Sequence, residues 1–314
     1  MAVIEGAVAS RPTASLGATK ARYGEKLVHA ALFGCAALSV ATTAAIVVSL
    51  LRPTMEFFAD VGVVEFLTGR VWSPLFANPS FGVLPLVSAT LLITAIALSV
   101  ALPIGLAAAI YLSEYAKPRV RRVLKPTLEV LAGIPTVVYG FFALTFVTPL
   151  LQDVWLFGDP PAIFNAASAG LVMGIMIVPT VASVSEDAMS AVPQALRNGA
   201  AALGSTRMQI ATRVVVPAAL SGIVAAFVLG FSRAIGETMI VLIAAGITPN
   251  LSFDPADAMQ TMTAFIGQAG LGDQSTGSTG YKTIFAVGSL LFVATFLVNL
   301  VSIRLVRRFR EVYE

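Results

Sequence analysis

Six long apolar blocks constrain this chain more than any other feature. They cover residues 27–51, 81–112, about 124–151, about 163–185, 214–247 and 283–305. A helix needs about 20 mostly apolar residues to cross a bilayer, and each block meets that length. Lipid offers no water to satisfy the backbone, so such segments close their own hydrogen bonds as helices. The expected fold is therefore all-α and membrane-integral, with six transmembrane helices. Pro103, Gly105, Gly133, Pro135, Gly140, Pro179 and Gly236 lie inside the blocks and mark kinks or close helix contacts, which membrane helices tolerate. Composition agrees: 57% of the residues are apolar and 12% are charged, against about 25% charged in a soluble domain. A soluble enzyme, a disordered chain and a coiled coil are all excluded.

Charge placement sets the direction of each crossing. Sixteen of the 20 basic residues fall in the N-terminal tail, in 117–125, in 186–213 and in the C-terminal tail. Only Arg52, Arg70 and Lys282 fall on the alternate side, and Arg233 lies within the fifth block. By the positive-inside rule both termini are cytoplasmic, which also accounts for the formal charge of +3 without nucleic acid. The first block is too long for the 7–15-residue core of a typical signal peptide and reads as a retained span. Residues 1–26 read as a disordered cytoplasmic tail and 27–314 as the transmembrane domain. Outside the membrane, 52–80 carries Phe57, Phe58, Phe66, Trp72 and Phe76, which suit an interfacial segment, and 272–280 is flexible by composition.

Catalytic patterns are absent. No Gly-x-x-x-x-Gly-Lys-Ser/Thr phosphate loop occurs, nor His-Glu-x-x-His, nor Gly-x-Ser-x-Gly. Cys35 and His29 are the sole cysteine and histidine and read as packing and interface residues. No catalytic residue, metal or cofactor is expected; if ATP drives this chain, another chain hydrolyses it.

The loop 186–213 has its own organisation. Pro193 suits a helix start, and the alanine-rich run 194–203 has high helix propensity. Gly204 stands where a C-terminal cap belongs, and Ser205 or Thr206 can cap a second short helix. Either this hairpin merely links two spans, or it is a knob for a partner.

Its spacing is similar to a cytoplasmic pattern of ABC-importer permeases: Glu-Ala-Ala, three residues, Gly, nine residues, Ile-x-Leu-Pro. Here Asn198, Gly199 and Ala200 precede Gly204, and Val214-Val215-Val216-Pro217 closes the pattern. Asn replaces Glu and Gly replaces Ala at its start, which removes one polar contact to an ATPase. Further strings resemble the permease family of high-affinity phosphate ABC importers. They are Leu84-Pro85-Leu86-Val87-Ser88-Ala89-Thr90-Leu91, Ala109-Ile110-Tyr111-Leu112-Ser113-Glu114-Tyr115-Ala116, Leu131-Ala132-Gly133-Ile134-Pro135-Thr136-Val137-Val138-Tyr139-Gly140-Phe141-Phe142 and Phe231-Ser232-Arg233-Ala234-Ile235-Gly236-Glu237-Thr238. The resemblance covers about residues 25–314 and is closer to the PstC type of subunit than to the PstA type. It implies a type I permease fold in the inner membrane, with a coupling helix at Asn198, Gly199, Ala200, Gly204 and Pro217. It also implies a PstA-like second permease, two PstB-like ATPases and a PstS-like phosphate receptor.

Two rival classes remain at this level. A permease for sulfate or molybdate would share the fold. An ion-coupled secondary transporter would show several intramembrane acids and often inverted repeats; one firm acid and no repeat are visible. Among charged residues, Glu114 and Glu129 read as solvated or ion-paired helix ends, and Glu186 and Asp187 as facing water or an ATPase. Tyr139, with Gly133 and Pro135, either shapes a path or packs. Arg233 stands apart, because an Arg at the centre of a span costs about 2.5–3.5 kcal/mol even on insertion scales. Glu237 is four residues on, one turn along the same helix face, so the two are expected to pair. The pair either fixes helix packing or lines an anion path, where guanidinium supplies a planar fork of donors for oxyanions.

Overall fold

The computed structural model describes residues 23–308 apart from 75, 77, 157 and 273; most of the expected N-terminal tail lies outside the described residues. The helices in chain order are α1 (Tyr23–Asp60), α2 (Val63–Thr68), α3 (Leu84–Ile110), α4 (Pro118–Ala132), α5 (Thr136–Phe142), α6 (Thr148–Val154), α7 (Ala166–Ser190), α8 (Gln194–Ala202), α9 (Arg207–Ile210), α10 (Val216–Ala218), α11 (Leu220–Ile235), α12 (Met262–Gly270) and α13 (Thr279–Arg308). Wider π turns extend α3 through Tyr111–Tyr115, join α5 to α6 and α9 to α10, and form Val241–Ala245. Among the described residues there is no strand, only an isolated antiparallel bridge between Trp72 and Phe81. The fold is all-α, as the apolar blocks require.

Five helical stretches are long and apolar enough to cross a membrane: Gly24–Asp60, Leu84–Tyr115, Thr136–Val154, Ala166–Ser190 and Thr279–Arg304. A sixth exists if Arg207–Ala218 and Leu220–Ile235, bent by 74°, count as one broken span. The third block differs from expectation. It does not run unbroken from about residue 124, because the chain turns at Gly133 and Pro135 lacks the N–H a continuing helix would need. What precedes the break is α4, a separate amphipathic helix that buries none of its residues. The fifth block is likewise broken, at Ala219 and again after Ile235.

The described residues up to Ser49 and those from Leu50 onward form two compact units. In the first, α1 exposes Leu27, Phe33, Leu38 and Val40, an apolar surface suited to lipid. The second is built on α3 against α7. Small residues let these two backbones approach: a Cβ added at Gly174 would lie 2.8 Å from the Ala97 carbonyl oxygen, and one at Gly170 would lie 2.7 Å from Ile96 Cβ. Ala89, Ala97, Ala101 and Ala169 are fully buried in the same seam.

The aromatic segment also departs from the interfacial reading. Phe57, Phe66 and Trp72 are buried with Phe81 and Phe265. Their rings meet edge to face, Trp72 on Phe265 at 4.9 Å and Phe57 on Phe66 at 5.6 Å. Only Phe76 is largely exposed. These aromatics are the core of the end of the bundle that carries α2 and α12. Near the same end, the Asn165 side chain caps α7 by accepting from the Ser168 N–H at 2.7 Å. The backbone oxygens of Pro255, Ala256 and Asp257 accept from N–H groups of Ala167, Ala162 and Ala166.

Candidate functional site

The opposite end of α7 carries the hairpin. Helix α7 continues to Ser190, five residues past the expected span end, and this shortens the loop. Pro193 stands at the N-cap of α8. Gly204 takes a left-handed φ of +82°; its N–H reaches the Ala201 oxygen at 3.0 Å, and the Ser205 N–H reaches the Ala200 oxygen at 3.1 Å. That double bond pattern is a Schellman stop, which glycine makes without Cβ strain. Thr206 then caps α9 in a capping box with Gln209. Asn198, Gly199 and Ala200 therefore lie on α8, Gly204 at the tip, and Pro217 where α10 leads into the bend. The tip is apolar and bare, with Leu203 89% exposed.

Two charge clusters fix this end. Glu186, fully buried on α7, pairs with Arg121 and with Lys125 Nζ at 2.8 Å, both on α4, and accepts from the Ser190 hydroxyl at 2.7 Å. Asp187 pairs with Lys125 as well. The expectation that Glu186 faces water is thus corrected: it lies in phase with the buried Ala182 and Met189, and a buried carboxylate needs partners. At Lys125, burial pulls the ammonium pKa down, but bonds to Asp187 and Glu186 and their charges outweigh it, so the net shift is upward. In the second cluster, Arg197 of α8 binds Glu114 at the end of α3, with Nη2 at 3.0 Å and Nε at 3.2 Å from Oε1. It also donates to the carbonyls of Met189 and Val192. The sequence marked Arg197 only as one basic loop residue. The signal that could have found it is its place in α8, close in sequence to the last carbonyls of α7.

Arg233 and Glu237 are not paired. Helix α11 ends at Ile235, so the one-turn spacing that would align them does not exist. Arg233, half-buried, reaches across to α7, with Nη1 3.3 Å from Thr180 Oγ1 and Nη2 3.3 Å from Met176 Sδ. Among the described residues no carboxylate pairs with it. Glu237 folds back instead, and its Oε1 accepts from the N–H groups of Thr238, Met239 and Ile240 at 3.1, 2.9 and 3.2 Å. It caps the helical stretch after the break, while its backbone oxygen accepts from Thr263. Tyr139 spans the other break, donating to the Leu131 carbonyl at 3.0 Å. No group of three or more metal-binding side chains occurs among the described residues.

An apolar helical bundle with broken spans, a half-buried guanidinium with no carboxylate partner among the described residues, and a bare hairpin tip belongs to the class of membrane permeases. The chain belongs to the binding-protein-dependent transport system inner membrane component family, whose model matches residues 101–311. It is 36% identical over 299 residues to a probable ABC transporter permease, YqgH, of Bacillus subtilis, covering 95% of this chain and 93% of that protein. It is 30% identical to the phosphate transport system permease protein PstC of Mesorhizobium japonicum, over 87% of each, and 38% identical to PstC 1 of Mycobacterium tuberculosis, over 73% of each. In fold it matches a chain of a bacterial alginate ABC transporter with a TM-score of 0.63 at 19% identity, covering 91% of this chain and 96% of that one. It is a multi-pass, non-catalytic subunit with the type I ABC-importer permease fold.

Proposed function

We propose that the chain is the PstC-type permease subunit of an ATP-driven inorganic phosphate importer. A PstA-like permease completes the translocation path, two PstB-like ATPases supply the energy, and a PstS-like receptor delivers the anion. Both termini lie in the cytoplasm, on the side of the hairpin. The observation that carries the reading is Arg233: a half-buried guanidinium held, among the described residues, by a hydroxyl and a thioether, with donors left for an oxyanion. Glu237 serves the path indirectly, by fixing the start of the helical stretch that follows Arg233. Residues Asn198, Gly199, Ala200, Gly204 and Pro217 form the coupling element that docks on an ATPase, and the exposed Leu203 supplies its apolar contact.

Uptake of labelled phosphate by vesicles holding the whole complex tests the assignment. Arg233→Lys keeps the charge and loses the fork, so uptake falls; Arg233→Gln abolishes it, with assembly intact. Normal uptake by assembled Arg233→Gln refutes the path role, and lost assembly makes Arg233 a packing residue. Excess sulfate or molybdate leaves phosphate uptake unchanged; competition by either reassigns the anion.

A further inference from the structure

The hairpin must pull on the spans if ATP hydrolysis is to open them, and it meets α3 first through one apolar cluster, on which Leu196 of α8 and Leu106 and Ile110 of α3 pack around the buried Ala109. A cleft of about 410 Å³ flanks the start of α4, and a larger one of about 530 Å³ separates α8 from the end of α3, lined by Glu114, Lys117, Gln194, Arg197 and Ser205 among others. Across that larger cleft the Arg197 side chain makes the ionic connection. The Arg197 guanidinium is 13% exposed and its Glu114 partner 9%. Nε and Nη2 take the carboxylate, Nη2 also takes the Met189 carbonyl at 2.8 Å, and Nη1 takes the Val192 carbonyl. One residue of α8 is thereby tied to the end of α3 and to two carbonyls at and just past the end of α7. A longer polar contact also joins this end of α3 to the hairpin, from Tyr115 Oη to Met208 Sδ at 3.6 Å.

We infer that Arg197 and Glu114 form the strut through which movement of the coupling hairpin reaches α3 and α7. They are positioning residues: neither touches the transported anion. The inference rests on the hairpin docking an ATPase, as proposed above. The chemistry requires arginine. Its rigid planar fork satisfies a carboxylate and two carbonyls in different directions at once, whereas the point charge of lysine holds the carboxylate and forfeits part of the rest. Because the pair is largely out of water, its geometry is stiff, and a removed partner leaves a charge buried and unpaired.

The test uses the complete transporter in vesicles and reads phosphate moved per ATP hydrolysed, with assembly followed by co-purification. Arg197→Ala lowers that ratio about fivefold or more, the low end of the range for linked sites, while receptor-stimulated hydrolysis continues. Glu114→Gln gives a smaller loss, because the two carbonyl contacts survive, and Arg197→Lys retains more coupling than Arg197→Ala. An unchanged ratio in Arg197→Ala overturns the strut. So does a loss of assembly common to Arg197→Ala and Glu114→Gln, which makes the pair a folding element. Leu203→Asp at the tip separates the two ideas: if it abolishes stimulated hydrolysis while Arg197→Ala leaves the ratio intact, only the strut fails. If neither change has any effect, the docking of the hairpin fails with it.

Discussion

Glu237 shows how one carboxylate can hold a broken helix together. Its three backbone N–H partners would otherwise be orphan donors in a nearly dry setting. Glu237→Ala should destabilise the purified complex by about 0.5–2 kcal/mol, the range for losing an N-cap, read as a lowered melting temperature. Gly204 poses the reverse problem, since its surroundings are open and only its φ of +82° constrains it. Gly204→Leu should therefore cost about 1 kcal/mol of local strain and lower coupled ATP hydrolysis, with phosphate binding by the receptor untouched. Gly204→Asn should be milder, because asparagine tolerates the left-handed region. Unchanged hydrolysis in Gly204→Leu would rule out docking at this turn. At Lys125 the raised pKa has a definite sign: a group that binds its proton more tightly when folded stabilises the fold below its unfolded pKa and loses that contribution as pH climbs through the folded value. A dye pair across α4 and α7 should keep a constant distance up to the ordinary lysine value of 10.5 and separate only beyond it.

Helix α4 is attached by charge and not by burial. None of its residues is buried, and Arg121 and Lys125 reach Glu186 and Asp187 on α7. Glu186→Gln should free α4 and raise its hydrogen exchange while the α3–α7 seam stays protected. Equal exchange in both elements would mean that the clusters matter to the whole bundle. The seam depends on small residues, so Gly174→Val should cost about 1–3 kcal/mol through overpacking against Ala97 and Val100. Gly199 offers an internal contrast on exposed α8, where an added Cβ meets nothing within 4 Å. Gly199→Ala should stabilise that helix by about 0.5–1 kcal/mol, visible as slower exchange in 194–202 alone.

For the whole molecule, the topology proposed above, with the hairpin and both termini on the cytoplasmic side, rests on the asymmetry of basic residues. In intact cells a cysteine at Ser278, exposed at the far end, should react with an impermeant reagent, and one at Ser205 should not. The reverse labelling would invert the topology.

The helical, membrane-spanning character of the chain and the turn at Gly204 were legible in the residues alone. Apolar length and glycine stereochemistry are local or additive properties, and they do not depend on which neighbour a residue meets. The placing of Glu186, the fate of Phe57 and Trp72, and the separation of Arg233 from Glu237 were not legible. Each depends on where a helix stops or what packs on it from more than fifty positions away: Arg121 for Glu186, Phe265 for Trp72, Thr180 for Arg233. A helix extended in imagination through Gly236 aligns Arg233 with Glu237. Only the tertiary structure ends that helix at Ile235, where the backbone turns and Glu237 serves the next helix start instead of the arginine.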